Sequence, residues 1–133
     1  MGSGTISGYY GLVAGCVPEA YRPVAPGESI AEADARWVEG AWPAFGAPTR
    51  CYLAAKAFAS WLAYQGRGAR TMAFSLDVAL SVLRVHCAAQ REAAGRPLDR
   101  PLFTEAVRRA DELLVHLASR EALARALSRV EWS

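Results

Sequence analysis

The sequence predicts an all-α protein: a single-domain bundle of four to five helices with a non-helical N-terminal arm. Apolar residues recur at helical spacing through most of the chain after residue 28. Glycines and prolines fall between those periodic segments, where turns are expected. Of the 133 residues, 53% are hydrophobic and 21% are charged, which is enough apolar material to bury a core. We expect the arm to occupy residues 1–27 and the helical bundle residues 28–133.

The arm is predicted because residues 1–27 are rich in glycine and proline and contain only one short apolar run. A lone strand has no pairing partner in a helical chain. It would have to lie against the bundle or add to a sheet of another protein. Tyr9 and Tyr10 are therefore candidate interface residues.

The string YYGLVAG at residues 9–15, followed by Pro18, is similar to the opening of a helical family associated with bacterial V-type ATPases. The similarity covers residues 9–18 alone, and the remainder of the chain does not follow that family. The sequence therefore assigns no family.

The first predicted helix begins at Ser29. Ser29 and Glu32 form an S-x-x-E capping box, in which each side chain satisfies a free backbone N–H of the other residue. Pro43 is expected to end this helix, because the residue before a proline avoids the helical conformation. Gly46 and Pro48 are expected to form the connection that follows.

Two strongly apolar helices are predicted next, over residues 49–65 and 69–94. Gly66 supplies the stop for the first of them. Gly95 stands where a left-handed cap belongs at the end of the second, and Pro97 follows it. Because apolar residues cover most of the circumference of helix 69–94, we expect it to contact neighbours on at least two sides.

A thin polar stripe on helix 69–94 contains Arg70, Asp77 and Arg84. These residues lie two turns apart, whereas favourable ion pairs along a helix lie three or four residues apart. Each side chain is therefore expected to meet another element, solvent or a partner chain. The stripe predicts residues that fix the register of the helix against a neighbour, and an alternative is a ligand-binding or enzymatic pocket near Asp77 and Arg84.

The last two predicted helices cover residues 99–118 and the segment after Ser119, which is the expected N-cap of the final helix. In the first of them, apolar residues such as Phe103 and Val107 face the core, while charged residues such as Arg108 and Asp111 face solvent.

Arginine outnumbers lysine, and Lys56 is the sole lysine. The arginines concentrate in the last third of the chain. If several share one face, they can follow a phosphate backbone. Acidic residues are interleaved with them, however, which is typical of a solvated helix surface. The nucleic-acid candidates are Arg91, Arg96, Arg100, Arg108, Arg109, Arg120, Arg125 and Arg129.

No catalytic, cofactor or metal motif is evident. The three cysteines do not form a C-x-x-C motif, which favours a reducing compartment and free thiols. Glu112 and His116 have the i, i+4 spacing of an ordinary surface pair, and no spacing typical of zinc or di-metal sites occurs. We expect no cofactor, no metal, no membrane insertion and a cytoplasmic location.

These observations predict a non-catalytic helical accessory or assembly subunit that binds another protein or forms a homo-oligomer in a larger complex. The surplus apolar surface and the aromatic residues outside the predicted core support this interpretation. A small nucleic-acid-binding subunit and a ligand-binding or enzymatic bundle are the alternatives. The candidate interface residues are Tyr9, Tyr10, Trp42, Arg70, Asp77, Arg84 and Trp132.

Overall fold

The computed structural model describes residues 6–16, 32, 34–63 and 69–117, and all of its regular elements are helical. The prediction of an all-α chain is therefore confirmed for this part of the protein. Within the same residues, no helix has the length and hydropathy that crossing a membrane requires. The four α-helices are α1 (Ile6–Ala14), α2 (Gly46–Ala63), α3 (Ala69–Ala94) and α4 (Arg100–Asp111), and short helical turns cover Asp34–Val38, Trp42–Phe45 and Glu112–Leu117.

Helix α3 is the centre of the fold, and its bounds match the predicted residues 69–94. Helices α1, α2 and α4 and the turn Asp34–Val38 all pack on it. The reason is the breadth of its apolar surface, since Val78, Val82, Leu83 and Cys87 are all fully buried. A helix that is apolar over most of its circumference lowers its free energy by being covered on several sides.

The predicted non-helical arm is wrong for residues 6–14, because these residues form α1. Tyr10 and Val13 lie three residues apart on one face of α1 and are completely buried, and α1 packs on α3. Gly11 weakens the helix on propensity grounds, but the apolar area buried by its neighbours outweighs that cost. Residues 17–31, which include the predicted boundary at 27/28 and the start at Ser29, lie outside the described residues.

The predicted connection at Gly46 and Pro48 is also wrong, and the helical segment before Pro43 ends earlier than predicted, at Val38. Pro43 lies in the first turn of the 3₁₀-helix Trp42–Phe45, which leads directly into α2 at Gly46. Pro48 then falls in the first turn of α2, where the backbone N–H that proline lacks is not needed. Prolines at these two positions start helical segments and do not end them.

Helix α4 begins with a side-chain N-cap. The carboxylate of Asp99 accepts a hydrogen bond from the backbone N–H of Leu102 at 3.0 Å. Gly95, at φ +67°, adopts the left-handed conformation expected at the end of α3. After Asp111 the helix continues as the π-helical segment Glu112–Leu117, and the predicted end near residue 118 lies outside the described residues. The final predicted helix lies outside the described residues.

Candidate functional site

An apolar groove of about 560 Å³ lies between α2 and α4. Cavities of this size are typical of binding sites, especially where aromatic walls carry a few polar groups. Its lining residues are Phe45, Ala47, Pro48, Cys51, Tyr52, Ala55, Arg100, Phe103, Thr104, Val107 and Asp111.

Each wall of the groove is formed by residues on one face of a helix. The α4 residues that line it are spaced at i, i+3, i+4, i+7 and i+11, starting from Arg100, and therefore lie on one face. The α2 residues are spaced at i, i+1, i+4, i+5 and i+8, starting from Ala47, and also share a face. The two helices run in the same direction, because Phe45 meets Phe103 at one end and Lys56 meets Asp111 at the other.

Stacked aromatic rings line the groove near the start of both helices. The rings of Phe45 and Phe103 are parallel within 4°, with their centroids 4.8 Å apart. Trp42 also packs on Phe103, with the two ring centroids 5.9 Å apart. Phe45 and Phe103 are buried and Trp42 is half-buried, so these rings form a rigid apolar wall.

At the far end of the groove, a positive and a negative side chain neutralise each other. Lys56 of α2 forms an ion pair with Asp111 of α4, and its ammonium group also lies 5.7 Å from the ring centroid of Tyr52. Burial, together with the charge of Asp111, raises the pKa of the Tyr52 phenol above its ordinary value. The Tyr52 hydroxyl is buried, and no described residue forms a hydrogen bond with it.

The near end of the groove is positive. Arg100 is exposed at the first residue of α4 and lines the groove. Arg50 is also exposed on α2, but it does not line the groove, and its guanidinium lies beside Gly46. Arg100 forms no ion pair with any described residue. This end of the groove therefore carries one guanidinium charge that the described acidic residues leave uncompensated.

Arg84 and Asp77, two residues of the predicted polar stripe of α3, have different surroundings in the structure. Arg84 forms a two-point ion pair with Asp34, with Nε–Oδ1 and Nη2–Oδ2 distances of 2.8 and 3.0 Å. The guanidinium also stacks on Trp42, 4.9 Å from the ring centroid. Arg84 thus fixes α3 against the segment before α2 in the same chain. Asp77 is exposed and does not line the groove, and the side chain of Arg70 lies outside the described residues.

The buried titratable groups of α3 are held in their neutral forms. Burial, assisted by the charge of Arg109, lowers the pKa of His86 to about 4, and no described residue forms a hydrogen bond with its Nε2. Burial raises the pKa of the Cys87 thiol to about 12. Both side chains are shielded from solvent, at 2% and 0% exposure, so neither has access to a substrate.

Two of the predicted interface residues are instead core residues. Tyr10 is completely buried with its ring edge-on to His86 at a centroid distance of 6.4 Å, and Tyr9 is 9% exposed. They are buried because α1 is a helix packed on α3 and not an extended arm. Trp42 is partly accessible, and Trp132 lies outside the described residues.

The described nucleic-acid candidates do not form a continuous basic surface. Arg108 and Arg109 both bind Glu105, with closest distances of 2.5 and 2.8 Å, and Arg96 binds Asp99 at 2.9 Å. The guanidinium groups lower the pKa of Glu105 to about 2. Arg91 is half-buried, and Arg120, Arg125 and Arg129 lie outside the described residues.

The groove was not visible in the sequence. Phe45 and Tyr52 carry no spacing that separates them from core aromatics, and Arg100 stands out only as one arginine among many. The available signal is the α4 pattern itself, in which Arg100, Phe103 and Asp111 fall on one face. A face that mixes apolar and charged residues in this way is typical of the rim of a site.

Comparison with known proteins supplies no relative. No family model, no curated protein and no solved structure matches the chain.

Proposed function

We propose that this protein is a non-catalytic helical accessory subunit that binds another protein, and that the groove between α2 and α4 is the binding surface. The observation that carries the proposal is the groove itself, an accessible apolar channel with aromatic walls in a small helical domain. Aromatic side chains in a well-packed depression are the usual anchors of protein interfaces. Apolar surface that stays accessible in a folded domain is commonly a contact site.

The chemistry of the described residues supports binding more than catalysis. The buried acid–base and thiol groups, His86 and Cys87, are neutral and inaccessible. Asp34 and Asp111 are engaged in ion pairs with Arg84 and Lys56. General acid–base or nucleophilic catalysis requires a reactive group in contact with the substrate, and these residues are arranged for stability instead.

The test is to fill the groove without disturbing the core. Thr104 is exposed on the groove face of α4, so Thr104→Trp should occupy the channel, whereas Arg108→Trp places the same bulk on the same helix outside it. Each variant, carrying an affinity tag, is expressed in the source cells and purified with its bound proteins. We expect one partner to be retained by the wild type and Arg108→Trp and lost from Thr104→Trp. A partner that is retained equally by all three forms would contradict the proposal.

A further inference from the structure

We infer that the groove receives an amphipathic helix of the partner protein that carries a carboxylate side chain at the Arg100 end. The inference deepens the proposed function and rests on it. It follows from the shape of the groove, from the difference in charge between its two ends, and from the kind of element that such walls can accept.

The shape of the groove favours a helical occupant. Its walls are two helices running side by side, and the described part of the chain contains no strand whose edge could pair with an extended peptide. From Arg100 to Asp111 the α4 wall is about 16 Å long at 1.5 Å per residue. This length matches about three turns of a bound helix, which would place apolar anchors at i, i+4 and i+7 in the groove.

The charges at the two ends of the groove favour an acidic occupant and set its register. Asp111 is compensated by Lys56, so the far end needs no charged partner. Arg100 at the near end is exposed, lines the groove and has no ion pair with any described residue. A helix seated beside it stabilises the complex when it places an Asp or Glu there, and one that presents Lys or Arg is repelled. The uncompensated Arg100 guanidinium therefore favours an acid at one end of the occupant.

Selection from a displayed library of random peptides tests the inference on the full chain. The targets are the wild type, Arg100→Gln, Arg100→Glu and Arg108→Gln. The last is the matched control, because it removes the same charge from an exposed residue of α4 that does not line the groove. Arg100 is exposed in the first turn of α4, where an acidic side chain is favourable to the helix, so the reversed variant is expected to fold. Circular dichroism of each variant confirms this.

We expect peptides selected on the wild type to combine helically spaced apolar residues with Asp or Glu. Their affinity should fall about fivefold on Arg100→Gln, which is the effect of one exposed ion pair, and should be unchanged on Arg108→Gln. Selection on Arg100→Glu should replace the acidic residue with Lys or Arg. The same acidic peptides emerging from Arg100→Glu would overturn the inference.

Two further outcomes separate this inference from the proposed function. If the selected peptides bind the wild type but not Thr104→Trp, and yet show no preference for acidic residues, the groove is a protein-binding site and only the acidic occupant is wrong. If no selected peptide distinguishes the wild type from Thr104→Trp, both proposals fail. A dimer in native mass spectrometry that Thr104→Trp dissociates would assign the groove to a second copy of the chain and overturn the partner helix.

Discussion

The ion pair between Arg84 and Asp34 explains how the charge of Arg84 is accommodated on a largely apolar central helix. The sequence predicts that Arg84 meets a neighbour, but it does not indicate which one, because the two residues are 50 positions apart. The partner proves to belong to the same chain. With both side chains largely buried, at 18% and 9% exposure, the pair is held by two-point hydrogen bonding and by stacking on Trp42.

Replacing Asp34 with Ala should destabilise the fold by about 3 kcal/mol, because it leaves a largely buried guanidinium without its carboxylate. Chemical denaturation measures this loss. The control is Arg96→Ala, which breaks the exposed Arg96–Asp99 pair and should cost less than about 1 kcal/mol. The double variant Asp34→Leu/Arg84→Met should recover most of the lost stability. Equal losses for Asp34→Ala and Arg96→Ala would show that the buried pair has no special role.

His86 should make the stability of the fold depend on pH. Its pKa is about 4 in the folded protein and about 6.5 when exposed, so between these values the unfolded chain binds more protons than the folded one. The free energy of unfolding is therefore expected to fall as the pH is lowered from 6.5 to 4, by at most about 3 kcal/mol. Above pH 6.5, His86 has no effect because both states are neutral.

Denaturation curves at a series of pH values, compared between the wild type and His86→Leu, isolate this contribution. The difference between the two proteins should change across the window from pH 6.5 to 4 and stay constant above it. A difference that is independent of pH would mean that His86 titrates alike in the folded and unfolded chains.

The helices differ in how far their sequences determine them. The end of α3 at Ala94 is predictable because a long apolar segment is followed by Gly95, which takes the left-handed conformation, so local signals and packing agree. Helix α1 is not predictable in this way, since Gly8 and Gly11 weaken its propensity and its stability depends on burying Tyr10 and Val13 against α3. Local patterns cannot show a contact with a helix more than fifty residues away.

Tyr10→Ala tests whether α1 is an integral part of the bundle. Because the Tyr10 ring is completely buried, its removal should cost about 3 kcal/mol or more in the free energy of unfolding, as for other large aromatic side chains. The matched control is Leu12→Ala on the same helix, whose side chain is only partly buried and whose loss should be smaller. A Tyr10→Ala protein as stable as the wild type would instead indicate an arm that contributes nothing to the core.

The two walls of the groove show another limit of sequence patterns. The α4 sequence correctly indicates that Phe103 faces inward and that Asp111 faces solvent, but it does not show that both line one groove. Periodicity identifies the face of a helix, but not how far its neighbours extend over that face. The gap between α2 and α4 exists because both helices pack on α3 while remaining apart from each other along the groove.

For the molecule as a whole, the sequence predicts an all-α chain, and the structure confirms this for the described residues. The sequence also suggests a protein-binding role from surplus apolar surface, and that role stays a prediction. The surface proposed for it has moved: Tyr9, Tyr10 and Arg84 serve the interior of the fold, while Arg100 and the aromatic groove face outward. Composition alone cannot make this distinction, because it depends on which aromatic residues remain accessible after folding.

Site-specific cross-linking from the groove tests the proposed role most directly. Cys51 is exposed on the groove wall, whereas Cys87 is buried and unreactive. A Cys16→Ala protein keeps only these two cysteines, so it carries a maleimide-linked photo-cross-linker at Cys51 alone. The matched control moves the attachment site to the exposed end of α3, with Cys16→Ala, Cys51→Ala and Ala93→Cys. Illumination in extracts of the source cells should join one defined partner to the Cys51 probe. This product should disappear when the probe-bearing protein also carries the Thr104→Trp substitution. Identical cross-linking patterns from Cys51 and Ala93→Cys, or a Cys51 product that persists with Thr104→Trp, would contradict a partner-binding groove.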